Sequence, residues 1–309
     1  MHTVAAAPVQ ETLDLVDAVV YADLFDCAVS LEELWRFSRL RIGREELRAR
    51  VLDDPHLRRV LREHGGFYCL AGREELLERR TGAEQRTLHL RRRAFRVARF
   101  LRHAPFVRGL LLTGSAAAGA AGSDADVDLL VIVADGRTSL VFALLGPLSR
   151  LTSRRFFCPN HYLSDAHLEL RTRRDLYVAR ELVQARPLTG CAAELAAANG
   201  WAQTLLPNAG TEPAPAAPLS SGGRLQRLLE LPFRGRSGDR LEQRLRGLAL
   251  SRLTAHHGLW GRGVPIEAVE RLEAGAELRF HGKPGTQSVL QRYETRRAEL
   301  AELLAAQST

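Results

Sequence analysis

Two aspartates, Asp126 and Asp128, are separated by one residue at the start of an apolar segment that continues to residue 133. Alternate side chains of a strand project from one face, so these carboxylates would lie about 6.6 Å apart along it. Carboxylates at that spacing can converge on two divalent cations about 4 Å apart, which clamp the attacking and leaving oxygens of a phosphoryl displacement. Because these ligands are hard oxygens, two Mg²⁺ ions are the expected cofactors.

A small-residue segment that begins with Gly114 and Ser115 lies between those aspartates and an earlier apolar segment, residues 107–113. Glycine lets the backbone approach a triphosphate closely, and a serine at the start of a helix adds a hydroxyl and amide donors. Other phosphate motifs fit less well, because the segment lacks a Walker A lysine and its glycines are not spaced as G-x-G-x-x-G. Gly114 and Ser115 are therefore predicted to bind the phosphates of a nucleotide.

These residues together resemble the signature of the nucleotidyltransferase superfamily of DNA polymerase β and the aminoglycoside nucleotidyltransferases. That signature is an apolar residue, Gly, Gly or Ser, a spacer, and then Asp-apolar-Asp-apolar; residues 116–125 form the spacer here. The neighbouring pair Asp124 and Asp126 leaves a shorter spacer, so Asp126 and Asp128 are preferred. The resemblance implies an enzyme that moves a nucleoside monophosphate from an NTP to a hydroxyl and releases pyrophosphate, with both aspartates as catalytic metal ligands.

The resemblance also implies a third carboxylate on a later strand, acting as general base or metal ligand. The apolar segment 156–163 offers Asn160 and His161 but no acid, whereas Glu169 lies between apolar neighbours just beyond it. Glu169 is the predicted third catalytic carboxylate, and a half-exposed strand glutamate is the alternative interpretation. Many members also carry an arginine soon after the Gly-Ser pair, where this chain has alanines at 116–118.

Positive charge for the triphosphate must then come from elsewhere, and a long helix is predicted over residues 73–103. Arg92, Arg96 and Arg99 fall on one face of that helix by steps of three and four residues. They are predicted to bind the nucleotide if the helix borders the site. A solvated basic face is the alternative.

The elements that must position these residues form an α+β pattern. In the first 72 residues, amphipathic periodicity predicts helices at 11–25 and 44–52, and Ser30 with Glu33 forms a capping box that starts another. Apolar segments at 57–61 and 67–70 flank a glycine turn and predict a β-hairpin. Three helices followed by a hairpin resemble a winged helix.

Beyond residue 105, buried strands are predicted at 107–113, 126–133 and 156–163, with helices at 139–151, 174–185 and 192–206. The predicted fold is a nucleotidyltransferase-type mixed sheet with helices. The chain also resembles a group of bacterial nucleotidyltransferase-like proteins that begin with a winged-helix-like region. The predicted organisation is a winged-helix-like domain at 1–72, a connecting basic helix at 73–104, the transferase core at 105–206, a Pro-rich linker at 207–223 and a helical C-terminal region at 224–309.

Composition narrows the class of protein further. The 309 residues include 44 basic and 36 acidic side chains, but a single lysine, so the arginine bias is typical of a GC-rich genome and is weak evidence for a polyanion partner. The four cysteines show no C-x-x-C spacing and are predicted to be reduced core thiols. With no apolar stretch of membrane-spanning length and no signal peptide pattern, a cytoplasmic protein without a membrane partner is expected.

The preferred acceptor is the hydroxyl of a small molecule, or of a protein, since no basic and aromatic platform for a nucleic-acid strand is evident. The competing hypothesis is a winged-helix DNA-binding or antitoxin-like regulator with a nucleotide-binding domain of weak or no activity. Its recognition helix would lie at 44–52, where Arg44, Arg48 and Arg50 are mixed with glutamates. That mixed charge is a poor phosphate footprint, so nucleic acid is a less favoured partner.

Overall fold

The computed structural model describes residues 6–152, 156–171, 174–210, 219–220, 222–258, 263–280 and 285–306. Helices and two β-sheets make up this part of the chain, so the α+β class is confirmed. Within it, no helix is long and apolar enough to cross a membrane.

The N-terminal elements form a small three-stranded antiparallel sheet with helices against it. The helices are α1 (Ala6–Asp23), α2 (Leu31–Arg36), α3 (Arg44–Asp53) and α4 (Pro55–Val60), and the strands are β1 (Val29–Ser30), β2 (Leu61–His64) and β3 (Phe67–Leu70), in the order β1-β3-β2. The predicted capping box is confirmed: Ser30 Oγ accepts from the Glu33 amide, and the Glu33 carboxylate accepts from the Ser30 amide at 2.8 Å.

The predicted hairpin is present, but its first strand begins later than expected. Residues 57–60 belong to α4, because Asp54 caps the helix by accepting from the His56 amide at 2.8 Å and Pro55 occupies the first turn. The apolar residues before Leu61 are therefore a helix face, and the strand itself carries polar side chains.

The helix α5 (Glu75–Leu101) leads into a larger, mixed sheet. Its strands are β4 (Val107–Leu112), β5 (Asp128–Val133), β6 (Cys158–Ser164), β7 (Arg186–Thr189) and β8 (Glu277–Arg279), in the order β7-β4-β5-β6-β8. β5 and β6 are parallel, and the other neighbouring pairs are antiparallel. The three central strands were predicted; the two edge strands are too short to stand out from sequence.

The remaining helices cover both the sheet and the N-terminal elements. They are α6 (Gly114–Ala118), α7 (Thr138–Leu151), α8 (Leu176–Gln184), α9 (Ala192–Ala198), α10 (Ala202–Leu205), α11 (Gly223–Glu230), α12 (Gly235–Gly258), α13 (Ile266–Glu273) and α14 (Gly285–Ala306), with a 3₁₀ turn at Leu231–Phe233. The predicted helix 192–206 is two helices, because the chain turns at Asn199, whose Oδ1 accepts from the Leu170 amide at 2.9 Å. Residues 211–218 and 221 of the predicted linker lie outside the described residues.

Two apolar cores organise these layers. One joins α5, α7 and α12 to β4 and β5, and includes Leu110, Leu129 and Leu253. The other contains the N-terminal helices together with α14, where Tyr293 packs with residues of α1 and its hydroxyl donates to Asp17. The last helix of the chain therefore completes the core of the first elements.

Candidate functional site

A cavity of about 810 Å³ lies where the N-terminal helices meet the carboxyl end of β4 and the first residues of β5 and β6. Gly114, Ser115, Asp126 and Asp128 all line it. The structure thus brings together the four residues for which the sequence predicted one site. Asp124, of the less favoured pair, is exposed and does not line the cavity.

Gly114 follows β4 at the point where that strand passes closest to β5. Its φ is +66°, a left-handed conformation, and a Cβ placed on it would overlap the Asp128 carboxylate. The Thr113 amide donates to the Asp128 carbonyl at 2.9 Å, which holds the two backbones together here. A glycine is required because the carboxylate occupies the space that a side chain would take.

The two aspartates differ in their backbone setting. Asp128 is the first residue of β5, whereas Asp126 lies in the preceding loop rather than inside the strand as predicted. Burial raises the pKa of Asp128 from its ordinary 3.8 to about 7, and the neighbouring Asp126 carboxylate adds to this increase. Ionisation of Asp128 is therefore unfavourable in this setting unless a positive ligand is bound.

The strand β6 places two more polar groups beside this pair. Cys158 is the register partner of Asp128, and single ligand atoms from Asp126, Asp128 and Cys158 all lie within 4.8 Å of one another. Asn160 Nδ2 donates to Asp128 Oδ1 at 2.5 Å and draws its pKa back down in part. Cys158 was predicted to be a core thiol, but it lines the cavity instead.

A β-bulge explains why Asn160 faces the site. The β5–β6 register shifts between Leu129, which pairs with Pro159, and Leu130, which pairs with His161, so Asn160 is the additional residue. His161 turns away and bonds Glu277 at 2.8 Å, while Asn160 lines the cavity. The sequence motif at 156–163 contained this residue, but a bulge cannot be read from the alternation of side chains.

Glu169 is not part of this site. It bonds Arg171 at 2.7 Å and also pairs with Arg174, and these arginines hold the pKa of its carboxyl below its usual range. It does not line the cavity, so its predicted placement there is wrong. The segment after β6 leads it away from the sheet end where the aspartates lie.

Three further carboxylates line the cavity, those of Asp26, Glu33 and Glu181, and the one whose charge acts on Asp128 is Glu181 on α8, which the sequence analysis did not single out. Its Oε1 accepts from the Tyr177 hydroxyl at 3.2 Å, and its other oxygen pairs with Arg279 on β8. Its charge contributes to the raised pKa of Asp128. The helix was predicted, but which of its faces meets the sheet depends on docking.

The predicted placement of Arg92, Arg96 and Arg99 beside the site is also wrong. All three are exposed on α5, and none lines the cavity. The apolar face of α5, with Ala94 and Val97, packs onto the sheet and turns the arginine stripe away from the site.

Other arginines approach the site from separate helices. Arg91 of α5 donates to the carbonyl oxygens of Ala116 and Ala117 at 3.0 and 2.9 Å, so it supports α6. The arginines that line the cavity are Arg80, Arg150 and Arg180. Arg80 pairs with Glu33 and Arg180 with Asp17, whereas Arg150 is exposed at the end of α7. Arg150 is therefore the cavity arginine best placed to meet an entering anion.

Aromatic side chains form two walls of the cavity. On one side Phe280 stacks on Phe142 with ring centroids 5.1 Å apart, and His256 meets Phe280 edge to face at 5.7 Å. A second group of aromatic lining residues comes from α1, from the residues just after α1 and α2, and from α8, and consists of Tyr21, Phe25, Phe37 and Tyr177. The N-terminal elements therefore contribute directly to the cavity.

No protein-family model, curated protein or solved structure matches this chain.

Proposed function

We propose that this protein is a metal-dependent nucleotidyltransferase that moves a nucleoside monophosphate from an NTP to an acceptor hydroxyl and releases pyrophosphate. The observation that carries the proposal is the meeting of Gly114, Ser115, Asp126 and Asp128 in one cavity. The two carboxylates at the start of β5, beside the small-residue turn that follows β4, suit phosphoryl transfer, in which catalysis is mainly positioning and charge stabilisation.

The donor set fits a divalent cation. Asp126 and Asp128 would hold it, since burial, and then the neighbouring Asp126 carboxylate, raise the pKa of Asp128, and a cation would offset both effects. Asn160 Oδ1 is buried without a partner among the described residues and adds an oxygen donor. When bound, such a cation supplies charge neutralisation for the phosphate oxygens, and Mg²⁺ is the ion that oxygen donors favour.

The residues of the chain itself supply positioning. Gly114 admits the Asp128 carboxylate to the turn, and Asn160 orients that carboxylate through its amide. The Ser115 hydroxyl and the Arg150 guanidinium are the proposed phosphate donors. Glu181, itself held by Tyr177 and Arg279, is the proposed acceptor of a hydrogen bond from the attacking hydroxyl.

The form of the cavity supports a small-molecule acceptor. Its volume of about 810 Å³ falls inside the range of roughly 300–1,000 Å³ that is usual for small-molecule sites. Aromatic rings on both walls provide stacking surfaces for flat or apolar groups. A protein hydroxyl is the second acceptor class that the same chemistry allows.

The test of this proposal is transferase activity of the intact protein and two substituted forms. The purified protein is incubated with Mg²⁺ and, in a parallel series, with Zn²⁺, together with each labelled NTP in turn and a lysate small-molecule pool, and pyrophosphate release is measured. Asp126→Asn and Asp128→Asn should each lower the rate by about 10²-fold or more, because each removes charge that holds the cation. Asp124→Asn, at an exposed position outside the cavity, is the matched control and should retain the rate.

Two results would reject the proposal. One is full activity in both Asp126→Asn and Asp128→Asn. The other is failure of the protein to bind any NTP at millimolar concentration with a divalent cation present.

A further inference from the structure

We propose that the Cys158 thiolate is the third protein ligand of the cation site, and that the site therefore selects a borderline-soft divalent cation such as Zn²⁺ over Mg²⁺. The catalytic use of that cation rests on the proposed function, whereas its binding does not. The proposal concerns the ligand set formed by Asp126, Asp128, Cys158 and Asn160.

The sheet places the thiol where a third carboxylate would otherwise be needed. Cys158 and Asp128 are register partners on parallel neighbouring strands, which lie about 4.8 Å apart. Sγ of Cys158 and one oxygen from each aspartate lie within 4.8 Å of one another, so a single ion between them could reach all three. Glu169, the carboxylate predicted for this role, does not line the cavity, and Glu181 is already held by Tyr177 and Arg279.

Asn160 gives independent support for a bound ligand. Its side chain is 8% exposed and lines the cavity, its Nδ2 donates to Asp128, and its Oδ1 has no partner in the described part of the chain. An unsatisfied buried oxygen costs free energy, which a cation at this position would recover. The bulge thus places Asn160, whose amide keeps one unpartnered polar atom among the described residues, directly beside Asp128 in the same cavity.

Ligand chemistry then determines which cation is favoured. Mg²⁺ takes oxygen ligands in a strict octahedral arrangement and keeps several waters, whereas thiolates favour Zn²⁺ and similar softer ions. Two carboxylates and one thiolate supply three anionic ligands, to which an open position for substrate can be added as in catalytic zinc sites. A site built for Mg²⁺ alone would gain nothing from sulfur at position 158.

Co²⁺ is the probe for the thiolate, because a cobalt–sulfur bond produces a charge-transfer absorption band in the near ultraviolet. The full-length protein, reduced and metal-free, is titrated with Co²⁺ while absorbance is recorded, and calorimetry measures binding of Co²⁺, Zn²⁺ and Mg²⁺ separately. The expected result is a band that saturates at one Co²⁺ per chain, is removed by Zn²⁺ and is not removed by equimolar Mg²⁺.

Cys158→Ser and Cys158→Ala should abolish the band. Because loss of an outer-shell partner already costs about 10- to 100-fold in metal affinity, loss of a direct ligand should weaken Zn²⁺ binding at least about tenfold. Mg²⁺ binding should change less. Cys27→Ser is the matched control, since Cys27 also lines the cavity but bonds Arg80 rather than the aspartates, and it should keep the band.

The wild-type measurement alone can overturn the inference, whether or not the variants fold. Calorimetric binding of Co²⁺ without the band, or Mg²⁺ binding as tight as Zn²⁺ binding, contradicts a thiolate ligand. A band that persists in Cys158→Ser, or that disappears in Cys27→Ser, contradicts the assignment to Cys158. Pyrophosphate release with Mg²⁺ in the absence of the cobalt band would overturn the thiolate ligand and leave the proposed transferase activity standing. The cobalt band in the absence of transferase activity with either cation would overturn the transferase and leave the thiolate ligand standing.

Discussion

At the scale of single residues, Asp128 is the centre of the site because three neighbouring residues act on its carboxylate. Gly114 leaves room for its carboxylate, Asn160 donates to it, and the charge of Asp126 opposes its ionisation. Burial is the largest cause of its raised pKa. Such a group is costly to keep ionised in the absence of a ligand, as is common at functional sites.

The raised pKa of Asp128 predicts how stability and cation binding depend on pH. Between about pH 4 and 7 the folded protein keeps a proton on Asp128 that the unfolded chain has released, so this group favours folding less as pH rises through that window. Asp128→Asn lacks this titrating group. Its free energy of unfolding minus that of wild type, measured without metal by denaturant titration, should therefore increase from pH 4 to 7. A constant difference would contradict the raised pKa.

Ionisation of Asp128 also controls cation affinity. Affinity should increase as pH rises, whereas the contribution of Asp128 to stability decreases, because the ion binds the ionised carboxylate. Wild-type affinity should fall by up to about tenfold per pH unit below pH 7, with one proton released per ion bound. Calorimetry in buffers of different ionisation enthalpy measures that proton directly.

Gly114→Ala should damage both stability and cation binding. A left-handed φ of +66° strains any other residue, at about 1–3 kcal/mol in the free energy of unfolding, and the added Cβ overlaps the Asp128 carboxylate. Gly122→Ala is the matched control, because Gly122 also lines the cavity but a Cβ there has no atom within 4 Å. Its effect should be below about 1 kcal/mol. Denaturant unfolding measures stability, and calorimetry measures cation affinity. If Gly114→Ala and Gly122→Ala lost equal amounts of both, the specific role of Gly114 would be contradicted.

At the scale of elements, the docking of each helix decides which of its side chains take part. The apolar face of α5 lies on the sheet, so its regular arginine stripe points away from the cavity. The arginines that line the cavity are instead Arg80 near the start of α5, Arg150 at the end of α7 and Arg180 on α8. The chain thus presents its cavity cations from several helices and not from one basic face.

This arrangement predicts different effects for the two sets of arginines. The triple change of Arg92, Arg96 and Arg99 to Gln should leave the Kd for an NTP within about twofold of wild type, since exposed charges outside the site contribute little. Arg150→Gln should raise the Kd about tenfold through loss of a charge-assisted phosphate contact. Equilibrium binding of a fluorescent NTP analogue measures the Kd of each variant. A larger increase in Kd for the triple variant than for Arg150→Gln would instead indicate that the arginine stripe of α5 binds the phosphates.

At the scale of the whole molecule, α1 and α14 pack together in the apolar core that also supplies part of the cavity lining. Tyr21 and Phe37 line the cavity, and Tyr293 of α14 packs against the same N-terminal core. The elements predicted to resemble a winged helix therefore form part of the wall of the cavity that holds the proposed site. That position favours a role in acceptor recognition over a role on DNA.

Ion pairing on α3 also argues against a role in nucleic-acid binding. Arg44 pairs with Glu32 at 2.9 Å, and Arg50 pairs with Glu46 and Glu11, so these arginines are already engaged by acidic groups. At about 10 μM protein and physiological salt, anisotropy with a random duplex should show no saturable binding. Saturable binding whose affinity falls steeply with salt would instead favour the regulator hypothesis.

Local rules determined the main parts of the site from sequence alone. The Asp126/Asp128 pair, the Gly114–Ser115 turn, the three central strands and the capping box all follow from alternation, glycine conformation or hydrogen bonds between residues close in the chain. Each depends on interactions that span only a few residues, so tertiary structure did not need to be known. The boundaries shifted by a few residues where a local cap, such as that at Asp54, took precedence over an apolar pattern.

Tertiary structure alone decided the rest. Strand register places Cys158 beside the aspartates, and a bulge places Asn160 there. Glu181, and not Glu169, lines the cavity. The docking of α5 turns its arginine stripe outward, and α14 packs on α1. Strand register and helix docking are set by contacts between residues far apart in the chain, whose free energy depends on how whole faces fit together. The periodicity of one segment indicates that it has an apolar face, but not which partner that face will meet.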